Sequence, residues 1–357
     1  VVTHGIILII IFSAILSIAG YLSIKPVFTK LGADSRTLPL INDYMKIWYL
    51  GAIFMAVPIM GNGILISLGD SKSASGFMVM GALLNCILDP IMIFGLAGFP
   101  ALGILGAALA TVVAQALSSF WLFYILIIKY KLFKIKQPEI NLFLNSFKKI
   151  MRFAIPGSIS MILMPLSSAV ITRLISLHGN EAVAAAGAAS RMEMLAFVIP
   201  MALGMSLIPF VSQNFGAEKI SRICQAKRYS TRFAFIYGGC IALTFFFAAP
   251  ALAGFFTSDS KVSSIFILYV RIISFGYGMM EIHRYSGFLM TGIHKPEYAT
   301  LINILRVFIL LIPLSYVGNK YFGITGIFAG RLLTDIVAGY IGYMCVSKML
   351  VSCQNTV

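Results

Sequence analysis

The sequence predicts an all-α polytopic membrane protein, from its composition, its runs of apolar residues and the placement of its basic residues. Of the 357 residues, 59% are hydrophobic and only 11% are charged, and the mean hydropathy is +0.95. A soluble domain averages about 25% charged residues, so this chain lacks the polar side chains that would cover a water-facing surface. Helices are expected because the hydrocarbon core of a bilayer cannot satisfy an open backbone.

Ten apolar runs, each bounded by polar or glycine-rich breaks, predict ten transmembrane helices of about 20 residues or more. The first run has neither the basic region nor the cleavage site of a signal peptide, so we expect a span there. Since the chain begins with valine, we also expect that its true N-terminus is missing. The predicted spans cover residues 5–24, 45–68, 77–95, 103–128, 153–177, 182–212, 233–256, 264–291, 299–318 and 323–347.

Lysine and arginine are distributed unequally between the two sets of loops. Loops on one side carry fifteen of them, and loops on the other side carry six. The positive-inside rule then places the basic loops and both chain ends in the cytoplasm. The net charge of +15 is mostly this asymmetry, so a nucleic-acid partner is not expected, and anionic lipid headgroups are the expected neighbours of the basic loops.

An internal repeat organises the chain. LGDSKSA (68–74) matches TGIHKPE (291–297) at an offset of 223, and GILGAALATVVAQ (103–115) matches GITGIFAGRLLTD (323–335) at an offset of 220. The repeat pairs the first four spans with the last four and leaves the fifth and sixth without partners. We therefore expect two further helices ahead of Val1, giving a twelve-helix, two-lobe (6+6) parallel repeat of the kind in which transporters rock around a central site.

The repeat also predicts the domains. Residues 1–128 form an N-terminal lobe of four helices, equivalent to helices 3–6 of the full repeat, and residues 153–348 form a C-terminal lobe equivalent to helices 7–12. Between them, residues 129–152 mix lysines with apolar residues, which is typical of an amphipathic helix on the membrane surface. Residues 349–357 form a cytoplasmic tail.

Several motifs resemble the multidrug and toxic compound extrusion (MATE) family, and the resemblance covers nearly the whole chain. The motifs are NCILDPIMIFG, GILGAALAT, AGAASRMEMLAF and PFVSQNFGAEKISR. The resemblance implies a monomeric secondary antiporter of a bacterial or archaeal inner membrane. Such a protein exports small organic, often cationic and amphiphilic, molecules in exchange for H⁺ or Na⁺, with no cofactor beyond that ion and with membrane lipids around it.

The chain departs from the family at two ion-binding positions. Many members carry a cation-binding aspartate in the first helix, which lies outside this chain. Others use a glutamate in the seventh helix, but residues 153–175 contain no carboxylate, and Met164 lies near the position where one is expected. The sequence therefore leaves the coupling ion, H⁺ or Na⁺, open.

Glu193 is the first candidate for cation coupling. It lies about 16 Å into its span, at ~1.5 Å per residue, and so near the middle of the membrane. Arg191 is only two residues away and points to nearly the opposite side of the helix, so the two side chains do not neutralise each other. A carboxylate in a low-dielectric site can exchange a proton near neutral pH. The alternative is a structural ion pair between Glu193 and an arginine on a neighbouring span.

Three other carboxylates lie within predicted spans. Glu281 is at mid-depth, and the resemblance implies a cation or Na⁺ contact there, because sodium-coupled members use an acid in this tenth helix. Asp89 precedes Pro90 and is either a relay residue or a kink residue bonded to Asn85. Asp335 follows Arg331 by four residues, which predicts a structural ion pair within one helix.

Aromatic and thioether side chains near these acids are candidates for a substrate cavity, since they suit varied organic cations. Core packing is the alternative for each of them. The candidates are Phe197, Met201, Tyr277 and Met280, together with Arg191.

Two other functions are weighed against the antiporter. A lipid-linked oligosaccharide or lipid flippase of the same wider superfamily would suit the six intramembrane arginines, because its substrate carries pyrophosphate. A polytopic membrane enzyme would need a catalytic constellation such as HExxH or GxSxG, and neither motif occurs. The five cysteines are odd in number and form no CxxC, so no disulfide framework or metal site is expected.

Overall fold

A computed structural model describes residues 2–30, 35–132 and 140–354, and every regular element within those ranges is a helix. Short π-helical turns cover Ile125–Lys129 and Leu305–Leu311, and a 3₁₀ turn covers Ser274–Gly276. The α-helices are α1 (Val2–Lys30), α2 (Thr37–Leu50), α3 (Ala52–Ser67), α4 (Ser71–Phe94), α5 (Ile104–Tyr124), α6 (Ile140–Ser176), α7 (Asn180–Ala196), α8 (Val198–Gly216), α9 (Ile220–Phe256), α10 (Ser260–Ile273), α11 (Tyr277–Gly292), α12 (Pro296–Ile304) and α13 (Ile312–Gln354).

The helices form two compact units. Unit 1 comprises Val1–Met151 and unit 2 comprises Arg152–Val357. The amphipathic linker expected at 129–152 falls partly at 133–139, outside the described residues. Its second part, from residue 140 onward, is the beginning of the 37-residue helix α6, which continues through Pro156 and Pro165 into the fifth predicted span.

The helices of the described residues account for ten membrane spans. Eight helical segments in the described part of the chain are long and apolar enough to cross a membrane, and the bent pair α2–α3, with an angle of 49°, makes a ninth. The last segment, Pro296–Ser352, has 57 residues. It would be about 86 Å long, nearly three times the hydrocarbon core. Gly323, with φ 58° and ψ −141°, breaks α13 into two helices and supplies the tenth span. The all-α fold with ten spans is thus confirmed.

The span predicted at 182–212 is broken in the middle, and Pro200 explains where. Proline has no N–H, so the carbonyl four residues earlier, on Ala196, loses its helical partner. Helix α7 ends at Ala196, and α8 starts at Val198. The freed carbonyl accepts a hydrogen bond from the Tyr237 hydroxyl at 2.7 Å. A tyrosine of α9 therefore stabilises the break at Phe197, which lies four residues after Glu193.

The internal repeat is visible in the backbone of the two units. Gly103 (φ 56°) and Gly323 (φ 58°) have the same unusual conformation and stand 220 residues apart, as the sequence predicts. Helix α3 ends in a left-handed turn at Gly69, and α11 ends in the same turn at His294, 225 residues later.

The offset of 225 corrects the sequence alignment, which pairs Gly69 with Gly292 at 223. A helix of this kind ends at a residue in the left-handed conformation, with positive φ. Glycine is the commonest residue at that position, but other residues also adopt it. In unit 2 a histidine takes that conformation, so matching by residue type was wrong by two positions.

The π-helical turn Leu305–Leu311 adds one residue to unit 2. A Cβ on Gly106 would lie 2.3 Å from the carbonyl oxygen of Met92, and one on Gly326 would lie 2.0 Å from that of Gly318. The two glycines are 220 residues apart, but the carbonyls that they approach are 226 apart. The offset between equivalent residues of the two units is therefore 225 at the start of α12 and 226 at Gly318. The π-helical turn Leu305–Leu311 lies between these two points and accounts for the additional residue.

Candidate functional site

The Glu193 cluster consists of Glu193 on α7, Tyr269 on α10, Tyr277 on α11 and Arg331 on α13. Arg331 Nη2 donates to Glu193 Oε2 at 2.9 Å. The hydroxyls of Tyr269 and Tyr277 donate to Glu193 Oε1 at 3.3 and 3.0 Å. Arg331 also donates to the Tyr269 hydroxyl. Four helices of unit 2 therefore meet at one carboxylate.

Aromatic rings enclose this cluster. Phe197 packs edge-on against Tyr277, and Phe328 packs edge-on against Tyr269. In each pair the ring centres are 4.9 Å apart. Tyr277 is 1% exposed, and Glu193 is 8% exposed. Excluding water strengthens the attraction between Glu193 and Arg331, and it also raises the cost of leaving either one unpaired.

Asp335 pairs with Arg306, not with Arg331. Asp335 is fully buried, and its Oδ1 accepts from Arg306 Nη2 at 2.7 Å. Both Arg331 and Asp335 are described, and no ion pair joins them; the expected pair within one helix is therefore corrected. An arginine placed before the acid is the weaker order for such a pair. Glu193, moreover, would remain buried without a cation if Arg331 turned to Asp335.

Glu281 is 1% exposed, and the polar group that lies next to its carboxylate is the guanidinium of Arg284. Its Oε1 lies 2.9 Å from Arg284 Nη1, but neither carboxylate oxygen has a well-formed hydrogen bond from the described residues. The Arg284 guanidinium lies 5.4 Å from the centre of the Phe197 ring, which itself contacts Tyr277. Phe197 thus stands between the Glu281–Arg284 pair and the Glu193 cluster.

His283, which lies next to these charged residues, contacts two neighbouring helices through its ring nitrogens. Its two ring nitrogens lie 2.9 Å from Asn303 Oδ1 and 3.3 Å from the Ala338 carbonyl oxygen. It ties α11 to α12 and α13.

Asp89 of unit 1 has a different setting. Asn85 Nδ2 donates to its Oδ1 at 3.1 Å, as the alternative reading of this residue expects, and also lies 3.4 Å from the Thr111 hydroxyl. Asp89 is partly exposed, and no cation among the described residues forms an ion pair with it.

The candidate cavity residues divide into two groups. Phe197, Tyr277 and Met280 are buried, whereas Met201 is 51% exposed and Arg191 is exposed on the face of α7 opposite Glu193. The first group belongs to the core around the Glu193 cluster, and the second faces away from it. The described residues contain no group of three or more His, Cys, Asp or Glu side chains arranged to hold a metal ion.

Sequence reasoning did not assign Tyr269 and Arg306. A signal for Arg306 was present, because the last six spans hold three deeply placed carboxylates and each needs its own cation. Tyr269 lies eight residues, or about two helical turns, before Tyr277. That spacing places two hydroxyls on one side of the span.

Ten helical spans among the described residues, with one buried carboxylate of unit 2 that bonds to three other helices, define a polytopic membrane protein. The MatE family model matches residues 1–91 and 156–317, which is more than half of the chain. The chain belongs to the MatE family of transporters, as its motifs indicate.

Relatives within the family carry different names. The chain is 33% identical to the "FAD transporter" of Shewanella oneidensis over 95% of this chain and 75% of that protein. It is 28% identical to the "Multidrug export protein MepA" of Staphylococcus aureus, over 85% of this chain and 66% of that protein. Among solved structures it resembles the MATE transporter VcmN of Vibrio cholerae with a TM-score of 0.90 at 29% identity, over 98% of this chain and 78% of that one.

Proposed function

We propose that this chain is part of a secondary antiporter that exports small organic molecules in exchange for H⁺ or Na⁺. The observation that carries the proposal is the Glu193 cluster, in which one carboxylate bonds to three other helices inside unit 2. A group of this kind changes the contacts between helices when its charge changes. It is therefore suited to link ion binding to motion.

In the proposed mechanism, a proton or Na⁺ on Glu193 cancels the charge that holds Arg331. The hydrogen bonds from Arg331, Tyr269 and Tyr277 then lose most of their strength, and α7 is released from α13 at this point. The adjacent break at Phe197 gives α7 and α8 a joint that can bend. An ion drives transport only because it binds one conformation better than the other.

Glu281 is the second candidate for ion coupling and the preferred candidate for Na⁺. Its two carboxylate oxygens lack hydrogen bonds from the described residues, so they can still accept a ligand. A Na⁺ ion there would compete with Arg284 for the same oxygen. Asp89 is the candidate relay residue of unit 1, while its hydrogen bond from Asn85 fits the alternative role of a kink residue.

Two substrate classes follow from different observations. Exposed Met201 and the aromatic content suit organic cations, the class that the resemblance implies. The likeness to a protein named FAD transporter favours a flavin dinucleotide, a flat aromatic molecule with a pyrophosphate. Exposed Arg191 suits that anion better than a cation, because its guanidinium can bind phosphate oxygens in a forked pair.

The test uses the full-length protein in proteoliposomes, with imposed H⁺ or Na⁺ gradients. Release of FAD and release of ethidium are measured in parallel. We expect transport of one or both to require one of the gradients, and Glu193→Gln to abolish the gradient dependence. Arg191→Gln should reduce FAD transport and leave ethidium transport unchanged if the dinucleotide is the substrate.

Two outcomes would reject the proposal. If Glu193→Gln transports with unchanged gradient dependence, the coupling role of that residue is wrong. If neither compound moves under any gradient while a lipid-linked oligosaccharide is translocated, the flippase alternative is correct.

A further inference from the structure

A basic pocket opens between α9 and α13 at the end of unit 2 where Lys219 and Lys348 also lie. Its volume is about 430 Å³, within the range of small-molecule and headgroup sites. No lining residue is acidic. The basic pocket is lined by Cys224, Lys227, Arg228, Thr231, Arg232, Tyr343, Ser347, Leu350 and Val351.

Three cations of α9 converge on this pocket. Lys227, Arg228 and Arg232 make no ion pair with any carboxylate in the described ranges. Lys227 is half-buried, with its Nζ 3.9 Å from the centre of the Tyr343 ring and donating to the Ser347 hydroxyl. The ring and the hydroxyl hold the ammonium in the pocket, so the cation is oriented before any ligand arrives.

The residues present match a phosphate group. Arginine offers paired N–H donors to phosphate oxygens, lysine offers a point charge, and the hydroxyl of Thr231 adds a further donor. A phosphate binds well where several cations lack anionic partners, because it supplies the missing charge.

The surface beside the pocket favours a lipid as the source of that phosphate. One turn deeper along α9, Phe235 is 55% exposed, and one turn deeper along α13, Tyr340 is 60% exposed. Both face outward from unit 2 on the two helices that form the pocket. An acyl chain attached to the bound phosphate would lie along these apolar side chains, whereas a free phosphate would leave them without a role.

We propose that the basic pocket binds the phosphate headgroup of an anionic phospholipid. The site is distinct from the Glu193 cluster, and the proposal stands apart from the antiporter proposal, because it requires neither an ion gradient nor a transported substrate. Basic pockets between helices are a known means of holding anionic headgroups at a membrane surface.

The experiment is native mass spectrometry of the full-length protein in detergent, titrated with phosphatidylglycerol or with phosphatidylcholine. We expect tighter binding of phosphatidylglycerol, and a weakening of about 10- to 30-fold in the double variant Lys227→Gln/Arg232→Gln, since each cation near anionic lipid is worth roughly one factor of five. The double variant Lys148→Gln/Lys149→Gln removes the same charge from an exposed site elsewhere and should bind as the unchanged protein does. Lys227→Arg should also retain binding, which separates loss of charge from loss of folding.

Three results would overturn the proposal. The first is equal binding of the two lipids, and the second is equal loss in both double variants. The third is displacement of phosphatidylglycerol by millimolar inorganic phosphate with no change in the variants' order, which would assign the pocket to free phosphate instead of lipid.

Discussion

The two units of the molecule share a backbone pattern but place their charged contacts differently. In unit 1, Asp70 caps α4 and accepts from Lys129 Nζ at 2.6 Å and from the Tyr130 hydroxyl, so this ion pair lies at the helix ends. In unit 2, three ion pairs lie inside the spans, at Glu193, Glu281 and Asp335.

The repeat allows a comparison position by position. At offset 220, Arg331 and Asp335 correspond to Thr111 and Gln115, and at offset 225, Glu281 corresponds to Ala56. Conversely, Lys129 corresponds to Met349, which packs against an apolar cluster at the end of unit 2. The same helical framework thus forms with or without ion pairs at these positions inside the spans. The helical framework that the two units share therefore does not itself require the buried ion pairs of unit 2.

The variant with the largest expected effect tests whether the stability of unit 2 depends on its buried ion pairs. Arg331→Leu leaves Glu193 buried without a cation and should cost about 3–5 kcal/mol of unfolding free energy. Thermal unfolding of the full-length protein in detergent measures the loss. The matched variant in unit 1, Thr111→Val, should change stability by less than about 1.5 kcal/mol. The double variant Glu193→Gln/Arg331→Leu should recover most of the loss, and a failure to recover would mean that Arg331 acts mainly by packing.

The next effect concerns Asp335. Asp335→Asn removes the negative charge next to Arg306 and should cost about 1.5–3 kcal/mol, as expected for a hydrogen bond to a charged group. The loss is smaller than for Arg331→Leu, because the Arg306 side chain is 19% exposed and can turn toward polar surroundings. Gln115→Leu at the equivalent position of unit 1 is the control. Equal losses at both positions would remove the contrast between the units.

A third variant pair tests what the units share. Gly106→Ala and Gly326→Ala each drive a methyl group into a backbone carbonyl of a neighbouring helix, and each should cost about 1–3 kcal/mol. Gly63→Ala meets nothing within 4 Å and should be neutral or slightly stabilising, since alanine favours helix. Unequal losses at Gly106 and Gly326 in the same unfolding assay would show that the close helix contact matters in only one unit.

The smallest effect is at the helix ends of unit 1. The hydrogen bonds from Lys129 and Tyr130 hold the pKa of Asp70 well below its usual range. The contact therefore contributes fully at neutral pH and is lost only as the pH falls below about 4 toward the lowered pKa. Lys129→Gln should give a small drop in melting temperature that is constant from pH 8 to 5 and disappears in acid. A difference that grows in acid would contradict this assignment.

Much of the fold could be predicted from the sequence. Ten spans follow from apolar length, and the joint between α7 and α8 follows from Pro200, because a missing N–H acts locally. The turn at His294 could not be placed by residue type, since its backbone conformation is more common for glycine. Local rules therefore located the breaks but not the register of the repeat.

The site was harder to predict than the fold. Glu193 and Glu281 stand out as charges in apolar runs, and both are buried. The partner of Glu193, however, lies 138 residues away on α13, and no local spacing reveals it. The sequence places two acids, Glu193 and Asp335, among the possible partners of Arg331. Arg331 pairs with Glu193, which would otherwise be buried without a cation, because Asp335 already has Arg306. That is a property of the packed helices.

The π-helical turn Leu305–Leu311 marks a local difference between the two units. Helix α4 of unit 1, which matches α12 and the start of α13, has no such turn. Unit 2 accommodates the additional residue as a local π-helical bulge. Arg306, the partner of Asp335, sits in that bulge. The buried ion pair of Arg306 and Asp335 thus lies where the backbones of the two units differ, so the change in helix register and the change in buried charge occur at the same place.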